Sequence, residues 1–61
     1  MKAYGFLLAH GYEIWKGYLE ATSEKDATQK ILNHEWSDII DEYETSIFVE
    51  GYEIVEIWEA K

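Results

Sequence analysis

Apolar and polar positions divide the chain into a short series of elements. Residues 3–9 run Ala-Tyr-Gly-Phe-Leu-Leu-Ala, and aromatic and branched residues return from Tyr12 to Ala21, with His10-Gly11 between the two runs. A two-residue X-Gly connection between such runs predicts an antiparallel hairpin, since glycine supplies the positive φ of a tight turn. With the turn placed there, Phe6 lies opposite Trp15 and Leu7 opposite Ile14. One face then collects Tyr4, Phe6, Leu8, Trp15, Leu19 and Ala21, and the other collects Leu7, Tyr12, Ile14 and Tyr18.

The period changes after Ala21. Ser23-Glu24-Lys25-Asp26 fits a capping box, in which the serine hydroxyl accepts from an early helix amide and the acid three residues on bonds back. Ala27, Ile31 and Leu32 follow at helical spacing, and Asn33 is the expected left-handed stop. Trp36, Ile39, Ile40 and Tyr43 then recur every three to four residues, with Asn33 or Ser37 available as a cap, and predict a second short helix. Strand character returns in Thr45–Val49 and Tyr52–Trp58, divided by Glu50-Gly51. Gly51-Tyr52-Glu53-Ile54 repeats Gly11-Tyr12-Glu13-Ile14, so two similar hairpins are expected on either side of a helical middle. Residues 1–61 thus form one small α+β domain of order ββααββ. The expected architecture is an antiparallel four-stranded sheet of two hairpins with one or two short helices on one face.

Apolar side chains occupy both parities of the strand runs: Ile47, Val49, Tyr52, Ile54 and Trp58 on one, and Phe48, Val55 and Ile57 on the other. The short helical section covers one side of such a sheet only. The other side must meet water, another copy or a target, and large exposed apolar patches mark interaction sites.

Composition narrows the class. In 61 residues, 48% are apolar and 16% aromatic, which sets the chain far from a disordered one. There is no cysteine, so no disulfide or thiolate metal site supports the core. The longest apolar run, Phe6-Leu7-Leu8-Ala9, is far short of the roughly 20 residues of a membrane span, and no basic leader precedes a longer run. A soluble, cytoplasmic protein is expected.

Charge changes the picture most. Thirteen acids face five lysines for a formal charge of −8, and so acidic a chain repels nucleic acid and anionic membranes. The imbalance is also segregated. Residues 1–30 hold four acids and four lysines, whereas residues 31–60 hold nine acids and no base: Glu35, Asp38, Asp41, Glu42, Glu44, Glu50, Glu53, Glu56 and Glu59. A field of one sign works against the compact state by self-repulsion, and recognition of a basic surface is a reason for it to persist. Acids three or four apart on a helix lie about 5–6 Å apart, and acids two apart on a strand about 6.6 Å. Both are of the order of phosphate spacing on a nucleic-acid strand. The expected partner-binding set is Glu35, Trp36, Asp38, Asp41, Glu42, Tyr43, Glu44, Glu50, Tyr52 and Glu53. Its aromatics serve as apolar anchors, and its partner is a protein with a basic nucleic-acid-binding surface.

Catalytic chemistry finds little support. His10 falls in a turn and His34 at a helix end, in separate elements and without metal-ligand spacing. Asp38, Asp41 and Glu42 lack the alternation and glycine of a calcium loop. No serine lies in a nucleophile elbow, and the four glycines form no phosphate loop. The expected protein is noncatalytic, without cofactor or metal.

The stretch from Tyr18 to Ala27, followed by Ile31, is a strand ending in alanine, a Ser-Glu cap and a helix core face. It resembles the strand-to-helix junction of small phage and mobile-element proteins, including the DpnD/PcfM-like group. That resemblance implies an inhibitor of host defence, an anti-CRISPR protein among the possibilities, working in the host cell cytoplasm; it carries no catalytic residue across. The function expected is occlusion, by polyanion mimicry, of a basic nucleic-acid-binding surface on a host effector such as a CRISPR nuclease. The alternative is a homo-oligomeric structural or regulatory module that pairs, as a homodimer for instance, through an apolar sheet face.

Overall fold

A computed structural model describes residues 1–36 and 38–60. Two long antiparallel strands, β1 (Lys2–Ala21) and β2 (Asp38–Ala60), flank one helix, α1 (Glu24–Leu32). The expected ββααββ order and four-stranded sheet are therefore corrected to a two-stranded sheet with a single short helix. Three expectations fail for one reason. Residues 3–21 run as a single strand paired with β2 instead of a hairpin turning at His10-Gly11. Ile39 to Tyr43 form a strand instead of a second helix, and residues 45–59 continue that strand instead of turning at Glu50-Gly51. Both segments find ladder partners on β1, and β-branched isoleucine packs well on a pleated surface. Ser37, the alternative cap of that second helix, lies outside the described residues.

The ribbon is not straight. A strand of 20 residues would span about 66 Å at roughly 3.3 Å per residue, yet the longest dimension of the molecule is 35 Å. It doubles back, bringing the Phe6 ring against Gly17 and the Tyr18 ring within 6.3 Å of Trp58. The register shows how. From Ala3↔Ala60 to Tyr18↔Asp38, β1 advances 15 residues and β2 advances 22, so β2 carries seven more. This surplus enters at Ile40, at residues 45–48 opposite Tyr12, at residues 50–52 opposite His10, and at Val55. Bulges of this kind bend a strand and increase its twist. The longer strand takes the outside of the bend and the shorter one the inside.

Burial follows from that geometry. β1 supplies Tyr4, Phe6, Leu8, Leu19 and Ala21 to the core and α1 supplies Ala27 and Ile31, whereas β2 contributes only half-buried Ile39, Ile54 and Ile57. The β1 residues are those expected on one face, with Trp15 packed against them. Phe6 seats on Gly17 instead of facing Trp15, a shift of two residues that preserves the face. Gly11 and Gly51, the first residues of the sequence repeat, have φ of 62° and 73° and lie at the bend of their strands. His10 links the two bends: its Nδ1–H donates to the Gly51 carbonyl at 2.7 Å.

The helix begins where expected, with one change of partner. Ser23 Oγ accepts from the Asp26 N–H at 3.1 Å, but the Asp26 carboxylate reaches back one residue further than a capping box does. It accepts from the Thr22 N–H at 2.9 Å and from the Thr22 hydroxyl at 3.1 Å. Lys30, one turn on, lies 3.5 Å from the same carboxylate, an order of charges that suits the helix dipole. The stop is also displaced. Asn33 has φ of −89°, and His34 takes the left-handed position with φ of 60°. The His34 N–H donates to the Ile31 carbonyl and the Glu35 N–H to the Lys30 carbonyl, which completes a Schellman motif. Leu32, expected to face the core, is exposed.

The Asp26 cap has a pH signature. Its carboxyl is held below the ordinary 3.8, chiefly by the Thr22 N–H and with help from the Thr22 hydroxyl and Lys30, against an opposing desolvation. A carboxylate whose folded pKa is depressed stabilises above its unfolded pKa and loses that contribution as pH falls through the folded value. Stability followed by circular dichroism is therefore expected to fall more steeply below pH 4 in the native chain than in Asp26→Asn. Parallel acid limbs would show that the cap does not respond to pH.

Candidate functional site: the acidic strand

β2 is the exposed strand, and it bears most of the acids of the second half. All nine of them, Glu35 in the turn after α1 and eight on β2, are exposed to solvent. The lysines neutralise few. Among the described residues Lys2 pairs with Glu59 at 3.3 Å and Lys30 with Asp26, so Glu59 is the one acid of that half in a salt bridge. Lys16 stands opposite Asp41 in the ladder, but its ammonium lies over the Trp58 ring, 5.9 Å from the centroid. Asp41 is held by local donors instead. The Glu42 N–H donates to Oδ1 at 3.1 Å and the Tyr43 hydroxyl to Oδ2 at 3.0 Å. That bond to the carboxylate raises the Tyr43 pKa above its ordinary value, with desolvation and the Asp41 charge adding to it.

Directly opposed residues of an antiparallel pair share a face, so the ladder sorts these acids. Asp38 opposes Tyr18 and Asp41 opposes Lys16, which places both on one face; the extra residue Ile40 puts acids three apart on the same side. Glu42 opposes Trp15 and Glu44 opposes Glu13, on the other face. Glu53, opposite Ala9, belongs to the other half of the ribbon, and Glu50 lies in the bend. The helical spacing expected for Asp38, Asp41 and Glu42 is thus replaced by a strand that points carboxylates to both faces. Tyr43 is exposed beside them, opposite Ile14.

Trp36 and Tyr52 enter a different grouping. Trp36 is half-buried, with ring contacts to Phe6 at 5.7 Å, Trp15 at 6.2 Å and His34 at 5.0 Å. Tyr52 stacks on His10 at 4.2 Å and meets His34 edge-on at 4.4 Å. The doubled ribbon therefore gathers on one tyrosine the two histidines that sequence separation keeps apart. Trp15 lies alongside, its indole N–H buried and without a hydrogen-bond acceptor among the described residues. No trio of His, Asp or Glu among the described residues is placed to hold a metal ion, and those residues enclose no cavity. Among the described residues no helix is long and apolar enough to cross a membrane.

Seven exposed large apolar residues among those described fall outside the expected partner-binding set, and three of them stand at the bend. Tyr12, Ile47 and Phe48 lie where the ribbon bends, and the Tyr12 and Phe48 rings meet edge-on at 5.2 Å. The adjacent Ile47-Phe48 pair is their signal in the sequence, because alternation on a strand cannot bury both. No family model matches the chain, and neither do any curated protein or solved structure.

Proposed function

We propose that this protein is a noncatalytic binding protein that uses β2 to occlude a basic, nucleic-acid-binding surface on an effector protein, as a phage-type inhibitor of host defence does in the cytoplasm. One observation carries the reading. Of the nine exposed acids in residues 31–60, eight have no salt bridge among the described residues. Folding does not explain their retention, since unneutralised like charges oppose compaction. Each carries a charge that no lysine among the described residues neutralises and that displaces a counterion from a lysine or arginine of a partner, as a phosphate does.

Asp38, Asp41, Glu42 and Glu44 are the densest part of this surface, and Tyr43 supplies apolar area among them. The junction of residues 18–27, which resembles that of small phage proteins, supports the anti-defence setting. A competition assay with a single-strand-binding protein and a labelled oligonucleotide tests occlusion. The expected result is displacement of the oligonucleotide that weakens steeply between about 50 and 200 mM salt, as counterion release requires. Displacement at all salt concentrations, or at none, would reject polyanion mimicry.

A further inference from the structure

We infer that the bend of the ribbon is a second contact surface, an apolar knob that seats in an apolar pocket rimmed by lysine or arginine on a partner protein. This inference rests on the reading of β2 as a surface for cationic partners. Tyr12, Ile47 and Phe48 are 57%, 71% and 61% exposed, more than solubility alone explains in a chain of 61 residues. They are presented by a specific backbone feature. Between Glu13↔Glu44 and Gly11↔Val49 the four residues 45–48 of β2 stand opposite Tyr12 alone, and the Ile47 N–H donates to Thr45 Oγ1 at 3.2 Å. Bulges concentrate beside binding sites, where they re-aim side chains.

The surrounding charge selects the occupant. Glu13 and Glu44 oppose each other directly in the ladder, an unfavourable arrangement of like charges, and Glu50 follows Val49 on the other side. A second copy would bring the same three acids against each other around the apolar contact. A cationic rim relieves the repulsion while aromatic and aliphatic anchors fill the pocket, the usual composition of an interface centre.

The test is an amide chemical-shift titration of the intact labelled protein with a synthetic amphipathic peptide of leucine and arginine, beside the same peptide with its leucines changed to serine. Shifts centred on residues 11–13 and 44–50, and binding weakened about tenfold or more by Ile47→Ser and Phe48→Ser, are the expected result. The serine peptide is expected to lose the shifts at the bend. Shifts confined to residues 38–44 with Phe48→Ser binding normally would overturn the knob while sparing polyanion mimicry. Binding at the bend that is insensitive to salt would reject the cationic rim and overturn the proposal as well. Self-association in sedimentation, abolished by Phe48→Ser, would assign the knob to a second copy and overturn the proposal. Both positions are exposed, and unchanged amide dispersion confirms that each variant folds.

Discussion

Gly17→Ala is expected to destabilise the fold by about 3 kcal/mol, near the upper end for overpacking a core. A methyl group built on Gly17 lies 2.6 Å from the Asp38 carbonyl oxygen and 2.7 Å from the Phe6 ring. Neither neighbour can yield easily. The carbonyl belongs to the backbone of β2 where it pairs with β1, and Phe6 is fully buried. Domains of this size have only about 3–9 kcal/mol of stability at roughly 0.05–0.15 kcal/mol per residue, so the urea midpoint is expected to fall by about 3 M at a slope of about 1 kcal/mol/M. Gly11→Ala is the control. Nothing lies within 4 Å of an added methyl there, and the cost is the left-handed backbone alone, about 1 kcal/mol. Equal losses at the two positions would mean that the Phe6–Gly17 seam does not hold the doubled ribbon together.

The quadruple variant Asp38→Asn, Asp41→Asn, Glu42→Gln, Glu44→Gln is expected to lose partner binding and gain thermal stability. At about 0.5–1 kcal/mol for each partly solvated charge contact, four neutralised acids remove roughly 2–4 kcal/mol, a loss of about 30- to 1,000-fold in affinity. The same change relieves self-repulsion, including that between Glu44 and Glu13 across the ladder. A melt by circular dichroism is therefore expected to move upward while oligonucleotide displacement fails. Undiminished displacement by a folded quadruple variant would remove polyanion mimicry. The two faces separate further. Asp38→Asn with Asp41→Asn alters one face of the strand and Glu42→Gln with Glu44→Gln the other, so unequal effects of the two pairs identify which face meets the partner.

Local chemistry is legible in the sequence, and long-range pairing is not. Ser23 marks the helix start because capping is settled among neighbouring groups, and Ala27 and Ile31 mark its buried face because 3.6-residue periodicity needs no distant partner. Trp36, Ile39, Ile40 and Tyr43 mislead for an instructive reason: their spacing reads as one helix face, whereas the ladder sets Ile39 opposite Gly17 and Tyr43 opposite Ile14, on opposite faces of a strand. Gly51 does adopt the positive φ expected of it, but the same dihedral serves a bulge or a turn, and only the pairing of Glu53 with Ala9 and Ile54 with Leu8 on β1 decides between them. The orientation of the acids is illegible because each inserted residue reverses the parity of the positions beyond it. His34 takes the left-handed position from Asn33 with its ring held by Trp36 and Tyr52, contacts no local rule anticipates.

The outermost rung, Ala3 against Ala60, makes synthesis and folding nearly sequential. Until the end of β2 has left the ribosome, the start of β1 has no ladder partner. Such non-local pairing places folding in the range of about milliseconds to seconds typical of high contact order. During that interval the edge of β1 that β2 will occupy is open to any other unpaired strand.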